Sequence, residues 1–300
     1  MEREIKRIVV IGGANMDICG CPRGRLVLRD SNPGTVTVRP GGVGRNVAHD
    51  LCLLGQEVSL ITALGDDVYG VALQDSCRRL GIDLSMSRIL PGRRSSTYLY
   101  VTDEKGEMQT AVSDMEITET ITPQMLNPCW ERINGADAVF VDGNLPEETL
   151  RAVAERCTVP LYADPVSTTK ASRLAAILPA LTAIKPNALE AEAMTGRRDA
   201  QQAARALLDR GVKRVYISLS AQGMLAAQGE RLLRLPCCAA RVVNSTGAGD
   251  AAMAALLWAE LQGFDLERTA RAALKAGALV CACPEANSPA LAELPKEMKR

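Results

Sequence analysis

Asn244-Ser245-Thr246-Gly247-Ala248-Gly249-Asp250 runs without a break into an apolar, small-residue stretch from Ala251 to Leu261. The pattern predicts a turn followed by a helix. A Gly-Ala-Gly turn at a helix start leaves backbone N–H groups facing outward, with the positive end of the helix dipole behind them. That is an anion site. Asp250 within it would repel a bound phosphate, yet it is well placed to take a proton from a hydroxyl attacking one. The combination suggests phosphoryl transfer from ATP to an alcohol. A helix start with an Asp near its cap reads the same letters without any chemistry, so the turn needs support from elsewhere in the chain.

Two other stretches supply it. Gly41-Gly42-Val43-Gly44-Arg45-Asn46 lets a ligand approach the backbone closely, and Asn46 would point polar atoms at it from the first turn of a helix. It also reads as a plain glycine-rich helix entry. Asn187-Ala188-Leu189-Glu190 places Asn and Glu three apart at a helix start, a pair suited to a hydrated magnesium ion between phosphates. The same spacing fits a capping box. No Gly-x-x-x-x-Gly-Lys-Ser/Thr occurs, and no Gly-x-Gly-x-x-Gly follows the first strand. A phosphate cradle must therefore be built differently from either, which again points to residues 246–250.

Outward from these stretches, short apolar strands alternate with helical patterns. Strands are expected at Ile5 to Gly13, Val58 to Thr62, Ala138 to Val141, Pro160 to Ala163, Ala183 to Lys185 and Val215 to Leu219. Helices are expected from the glycine cluster to Leu54 and around 147–156, 171–178, 188–195 and 200–210. Such alternation predicts an α/β fold, a doubly wound, mostly parallel sheet with helices on both faces. Two β excursions interrupt the N-terminal half: Thr35-Val36-Thr37-Val38, and a hairpin of Ser96 to Val101 with Met108 to Val112 around Asp103-Glu104-Lys105-Gly106. They predict a small β lid, about 18–40 and 93–114, on a single domain spanning 1–300. Ligands of such sheets bind beyond the C-terminal strand ends. Asn15, Asp17, Asn144, Asp164, Asn187, Ser218 and Ser220 all fall there, though any one of them could be a helix cap.

The composition excludes several classes. Lys+Arg and Asp+Glu both count 35, and only 3% of residues are aromatic, so no basic or stacking surface for a nucleic-acid polymer is expected. No apolar run approaches the roughly 18 residues of a membrane span, and Met1-Glu2-Arg3-Glu4 does not open a signal peptide. A cytoplasmic location is expected. The ten cysteines lack zinc-knuckle spacing and read as reduced, buried small hydrophobes. The sole histidine, His49, reads as a partly buried or surface imidazole.

At the glycine cluster and at Asn244 to Asp250 the chain resembles the ribokinase-like (PfkB) family of carbohydrate and nucleoside kinases, with Gly55 and Gly65 at the family's intervals. Within the family it is most similar to the pseudouridine kinase branch, on Ser31-Asn32-Pro33-Gly34, Gly41 to Asn46, Ser113-Asp114-Met115, Asp164-Pro165-Val166-Ser167 and Asn244-Ser245-Thr246. The resemblance implies Asp250 as general base for a 5′-hydroxyl and the backbone of Gly247, Ala248 and Gly249 as the anion hole. It implies magnesium organised by Asn187 and Glu190, and ATP lined by Ser218, Ser220, Gly223 and Thr246 with Asn287 near the adenine. Asn15, Asp17, Gly42 and Asn46 would hold the ribose, and Asp30, Asn32 and Asp114 would read a nucleobase edge. A homodimer through the lid is also implied. Asn244 stands where many members carry an Asp that completes a monovalent cation site, so a monovalent cation is doubtful and potassium activation is expected to be weak or absent. Ribose, fructose and adenosine remain alternative substrates. A non-catalytic sensor on the same scaffold would carry a damaged Asp250 or glycine turn, and both are intact.

Overall fold

Ile8-Val9-Val10-Ile11 and Ala138-Val139-Phe140-Val141 are apolar at every position rather than at alternate ones. Strands of that kind need cover on both faces, as in a parallel sheet sandwiched by helices. A computed structural model, describing residues 4–238 and 240–298, has that architecture. Met1 to Arg3, part of the stretch without a signal-peptide pattern, lie outside the described residues.

The strands in chain order are β1 (Arg7–Ile11), β2 (Asn15–Pro22), β3 (Gly34–Gly41), β4 (Glu57–Ile61), β5 (Ala63–Gly65), β6 (Arg88–Leu90), β7 (Ser96–Thr102) and β8 (Met108–Asp114). They continue with β9 (Ala138–Asp142), β10 (Leu161–Asp164), β11 (Ala183–Ile184), β12 (Arg214–Ser218), β13 (Met224–Gln228) and β14 (Arg231–Leu235). Eight of them form one sheet in the order β14-β13-β12-β11-β10-β9-β1-β4. Neighbours from β12 to β4 are parallel, and β13 and β14 add an antiparallel edge. Alternate residues feed opposite cores. Ile8, Val10 and Phe140 pack under the helices Val43–Leu53, Ala248–Leu261 and Leu266–Cys281, while Val9, Ile11 and Val141 pack under Glu147–Arg156, Ala188–Thr195 and Ala200–Asp209. The helix Ala248–Leu261 is buried continuously from Ala251 to Ala259, which explains its lack of a polar face.

The two β excursions meet in a four-stranded sheet, β3-β2-β7-β8. Its strands run over 15–41 and 96–114, starting slightly earlier and later than the expected limits, because β2 follows β1 after only Gly12-Gly13-Ala14. Three expectations need correction. The segment near 171–178 forms two short 3₁₀ turns, Ala171–Ala176 and Leu178–Ala180, with Pro179 interrupting helical hydrogen bonding. The hairpin of β13 and β14, turning at Gly229, had not been anticipated. The thiols are less uniformly buried than expected: Cys77 and Cys129 are enclosed, but Cys21 and Cys237 are exposed. His49 is half-buried, as anticipated, and burial lowers its pKa to about 4. Among the described residues no helix is long and apolar enough to cross a membrane.

Candidate active site

Chain crossings at the C-terminal rim of the main sheet leave almost no room between backbones. A Cβ on Gly12 would lie 2.4 Å from Asp142 Oδ2, and one on Gly44 would lie 2.9 Å from the Gly12 carbonyl carbon. Gly42 adopts φ 95°, a left-handed conformation that suits glycine. Asp142 ties these turns together, since its Oδ2 accepts from the N–H groups of Gly13 and Gly44 at 2.9 Å each and its Oδ1 from Asn144 N–H at 2.9 Å. Asp142 was not anticipated as a site residue. Its role follows from a crossing of segments 129 and 98 residues apart, which no local pattern encodes.

Asp250 lies on the first turn of the helix Ala248–Leu261, facing this crossing. Gly247 precedes it in a left-handed conformation, φ 82°, and no side chain caps the helix start. A Cβ on Gly247 would fall 1.9 Å from the Ala286 carbonyl oxygen, so only glycine fits the turn. Asn46, from the first turn of Val43–Leu53, donates its Nδ2 to Asp250 Oδ2 at 2.9 Å. Oδ1 of Asp250 makes no hydrogen bond among the described residues. Burial raises the Asp250 pKa to about 7. The bond from Asn46 and the charge of Lys185 oppose the shift, and Asp164 and Asp142 reinforce it.

Under the glycine turn lies a buried ion pair, Lys185 Nζ to Asp164 Oδ2 at 3.1 Å. Burial works against the lysine's charge, but Asp164 outweighs it and keeps the pKa raised. The ammonium comes within 3.6 Å of where a Gly249 Cβ would stand. The anion turn therefore has a fixed positive charge beneath it in addition to its amides. Lys185 too had gone unrecognised, although its signal was legible: a lysine ending an otherwise apolar strand needs a partner.

Asn187 and Glu190 form the capping box that their spacing allowed. Asn187 Oδ1 accepts from Glu190 N–H at 2.9 Å, and Glu190 Oε2 accepts from Asn187 N–H at 2.8 Å. Capping does not exhaust the pair, because Glu190 Oε1 makes no hydrogen bond among the described residues. Burial raises the Glu190 pKa, and the nearby charge of Asp164 adds to the shift. Among the described residues no group of three or more His, Cys, Asp or Glu side chains could hold a metal ion directly. The oxygen-only, carboxylate-rich character of this corner fits a magnesium ion that keeps its water shell.

The remaining candidates divide. Asn15 and Asp17 are joined by a 2.6 Å bond, Asn15 Nδ2 to Asp17 Oδ1, beside Gly41 and Gly42 and on the Asn46 side of the cleft. Ser218 and Ser220 end β12 near Asn187, to which Ser218 is bridged, while Thr246 lies exposed in the anion turn. Gly223 is buried, with Leu235 O 1.9 Å from its would-be Cβ, so hairpin packing accounts for this glycine. Asn287 is a correction. Its amide donates to Asp50 Oδ1 at 2.8 Å and Asn46 O at 3.3 Å and accepts from Arg45, so it presents no edge to an adenine. Asp30 and Asn32 close their own loop, with Asn32 bonded to Val27 and to Asp30 O. Asp114 pairs with Arg94 at 3.5 Å. All three belong to the lid, Asp114 ending β8 and the other two in the loop between β2 and β3. Tyr98 and Tyr100, by contrast, register beside Asp17 and Cys19 on the same face of the lid sheet as Asp17.

Comparison with known proteins agrees with this geometry. The pfkB family carbohydrate kinase profile matches residues 5–293. The chain is 35% identical over 297 residues to a pseudouridine kinase of Escherichia coli (strain K12), covering 96% of this chain and 95% of that protein. It is also 35% identical over 291 residues to a sugar kinase of the same organism, covering 94% of this chain and 80% of that one. In fold it superimposes on ribokinase from Thermotoga maritima with a TM-score of 0.88 at 22% identity, covering 99% and 100% of the two chains.

Proposed function

The chain belongs to the pfkB family of carbohydrate kinases, and from that premise we propose that it transfers the terminal phosphoryl group of ATP to the 5′-hydroxyl of a nucleoside, pseudouridine in the first instance. The observation carrying this is Asp250: a carboxylate on an uncapped helix start, held by Asn46, with its pKa raised to about 7. A base works best when its pKa lies near the working pH.

The substrate hydroxyl donates to the open Oδ1 of Asp250, which takes its proton as the oxygen attacks. Asn46 keeps Oδ2 occupied, so the carboxylate holds one rotamer through the reaction. The first-turn N–H groups behind Gly247 and Gly249, with Lys185 beneath them, stabilise the negative charge on the migrating group without having to reorganise. Ser218, Ser220 and Thr246 line the ATP side. Glu190 and Asn187 would hold magnesium through water, and that ion would supply charge neutralisation on the phosphates. Asn15, Asp17 and the Gly42 backbone hold the sugar, and the lid closes above it. Tyr98 and Tyr100, with ring centroids 5.5 Å apart, give that lid an aromatic inner surface suited to a base.

Val36, Val38, Leu99 and Val112 are exposed on the opposite face of the lid sheet, in mutual register through Ile18 and Gly20. A second copy of the chain covers this apolar stripe in the proposed dimer. Asn244 has no charge, and its amide is already spent on Pro284 O and Thr246 N–H, so exchanging sodium for potassium changes the rate by less than about two-fold, or about 0.4 kcal/mol. The deciding experiment is an ATP-consumption screen across pseudouridine, uridine, adenosine, ribose and fructose. Highest kcat/KM on pseudouridine supports the proposal. Preference for ribose or fructose makes the chain a sugar kinase, and no turnover on any of them overturns the phosphotransfer reading.

A further inference from the structure

Arg45 is almost fully enclosed, and its guanidinium binds four oxygens. Nη1 donates to Asn46 Oδ1 at 3.1 Å, to Asn287 Oδ1 at 3.0 Å and to Pro40 O at 3.4 Å, and Nη2 donates to Ser76 Oγ at 3.0 Å. A guanidinium has donors and no acceptor. Whichever amide atom faces it must therefore be the oxygen. This fixes the direction of both neighbouring amides. Asn46 turns its NH₂ toward Asp250 Oδ2, and Asn287 turns its NH₂ toward Asp50 and the Asn46 carbonyl. Without Arg45, a half-turn of the Asn46 amide would set oxygen against the Asp250 carboxylate.

Resting on the phosphotransfer reading above, we infer that Arg45 is a positioning residue that, anchored by Asn287 and Ser76, orients the Asn46 amide and through it the Asp250 carboxylate. Its anchor also reaches beyond the catalytic pair. Asn287 belongs to the segment whose Ala286 carbonyl abuts Gly247 and whose Pro284 carbonyl accepts from Arg39 of β3 at 3.1 Å and from Asn244 at 3.2 Å. One stretch of chain thus braces the lid, the anion turn and the base together. Asp50 accepts from Asn287 at 2.8 Å, and burial raises its pKa well above the usual carboxylate range.

The test is a carboxyl ¹³C NMR titration of Asp250, assigned by its loss in Asp250→Asn, in the wild type, Arg45→Met, Asn46→Ala and the double variant. The other titratable groups around Asp250 are Lys185 at the end of β11, Asp164 at the end of β10, Asp142 at the end of β9 and Asp50 on the helix Val43–Leu53, and none of these is altered. The expected result is an upward shift of the Asp250 midpoint in Arg45→Met by at least about half a pH unit, since a hydrogen bond to the charged form is lost. The double variant should match Asn46→Ala, because a group acting through another adds nothing once that one is gone. On an accepted substrate, kcat of Arg45→Met should fall at least about tenfold, a modest share of what a misplaced group can cost, with KM for ATP unchanged. An unmoved midpoint, or single effects that multiply in the double variant, overturns the inference. A purely structural arginine would lower Tm and leave the midpoint alone. If Arg45→Met does not fold, Arg45→Lys and Ser76→Ala serve, since an ammonium cannot span the same oxygens as a fork. They should shift the midpoint in the same direction, and no shift in either overturns the inference. If the wild type phosphorylates nothing, the kinase reading fails, while the titration still reports whether Arg45 sets Asp250.

Discussion

In the proposed reaction Asp250 combines a general-base role with a cost to the fold. Replacing it with Asn keeps the shape and removes the proton acceptor, so Asp250→Asn should lower kcat by at least roughly 10²-fold while ATP still binds. Turnover and ATP titration of the purified variant check this. The sign of the pH effect follows from the raised pKa. Between the ordinary carboxylate range and about 7, the folded chain holds a proton here that the unfolded chain has released. Stability from this group is therefore greatest at low pH and declines as pH rises toward 7. Activity runs the other way, because only the ionised form accepts a proton. In the wild type kcat/KM should fall tenfold per unit below about pH 7, while Asp250→Asn should melt no lower than wild type at pH 8. Asp250 itself was legible from its neighbours in sequence. Lys185 was legible too, as a lysine ending an apolar strand; Asp142 and Arg45 were not, because their partners lie far away along the chain.

At the level of elements, the helix Ala248–Leu261 owes the turn at its uncapped start, the proposed anion site, to Gly247. Gly247→Ala should cost at least about 1–2 kcal/mol from left-handed strain alone, and the clash with Ala286 O should push the turn out of place. A lowered Tm together with a kcat loss of at least about tenfold is expected, that loss being within the effect of a small misplacement. Thermal melts and single-turnover kinetics measure the two effects. The helix Ala188–Thr195 separates two roles of one side chain. Glu190→Gln still reaches back to the Asn187 N–H and keeps the capping box, but it removes the charge. Tm should stay within a few degrees of wild type while the magnesium needed for half-maximal rate rises about tenfold, carboxylate being the better ligand for a hard cation. A fall in Tm with unchanged magnesium demand would leave the box as the pair's only work.

Across the whole molecule, the lid is the part whose outer face lacks cover. Leu99→Asp places a charge in the centre of the Val36–Val38–Val112 stripe, and light scattering should find wild-type dimers and variant monomers. A monomeric wild type would remove the dimer proposal and leave the cleft chemistry intact. The lid also shows where local patterning stops. Thr35 to Val38 and the hairpin around Asp103 to Gly106 announce strands, but nothing local says that β2 and β7 pair in parallel to join them. Candidates on its loop illustrate the same limit, since Asn32 is used to close the loop in which it stands.

The sequence by itself determined the alternation of strands and helices, the glycine turns, and the place of Asp250 at the start of the helix that follows them. Each is written in local spacing, because periodicity, left-handed backbone and helix capping act over a few residues. Tertiary structure alone decided that Asn46 holds Asp250, that Asp142 pins two glycine turns, that Lys185 lies beneath the anion site and that Asn287 faces Arg45 rather than a nucleotide. Those contacts join segments brought together only when the sheet closes, and burial of charge, which sets their strength, does not exist until it has.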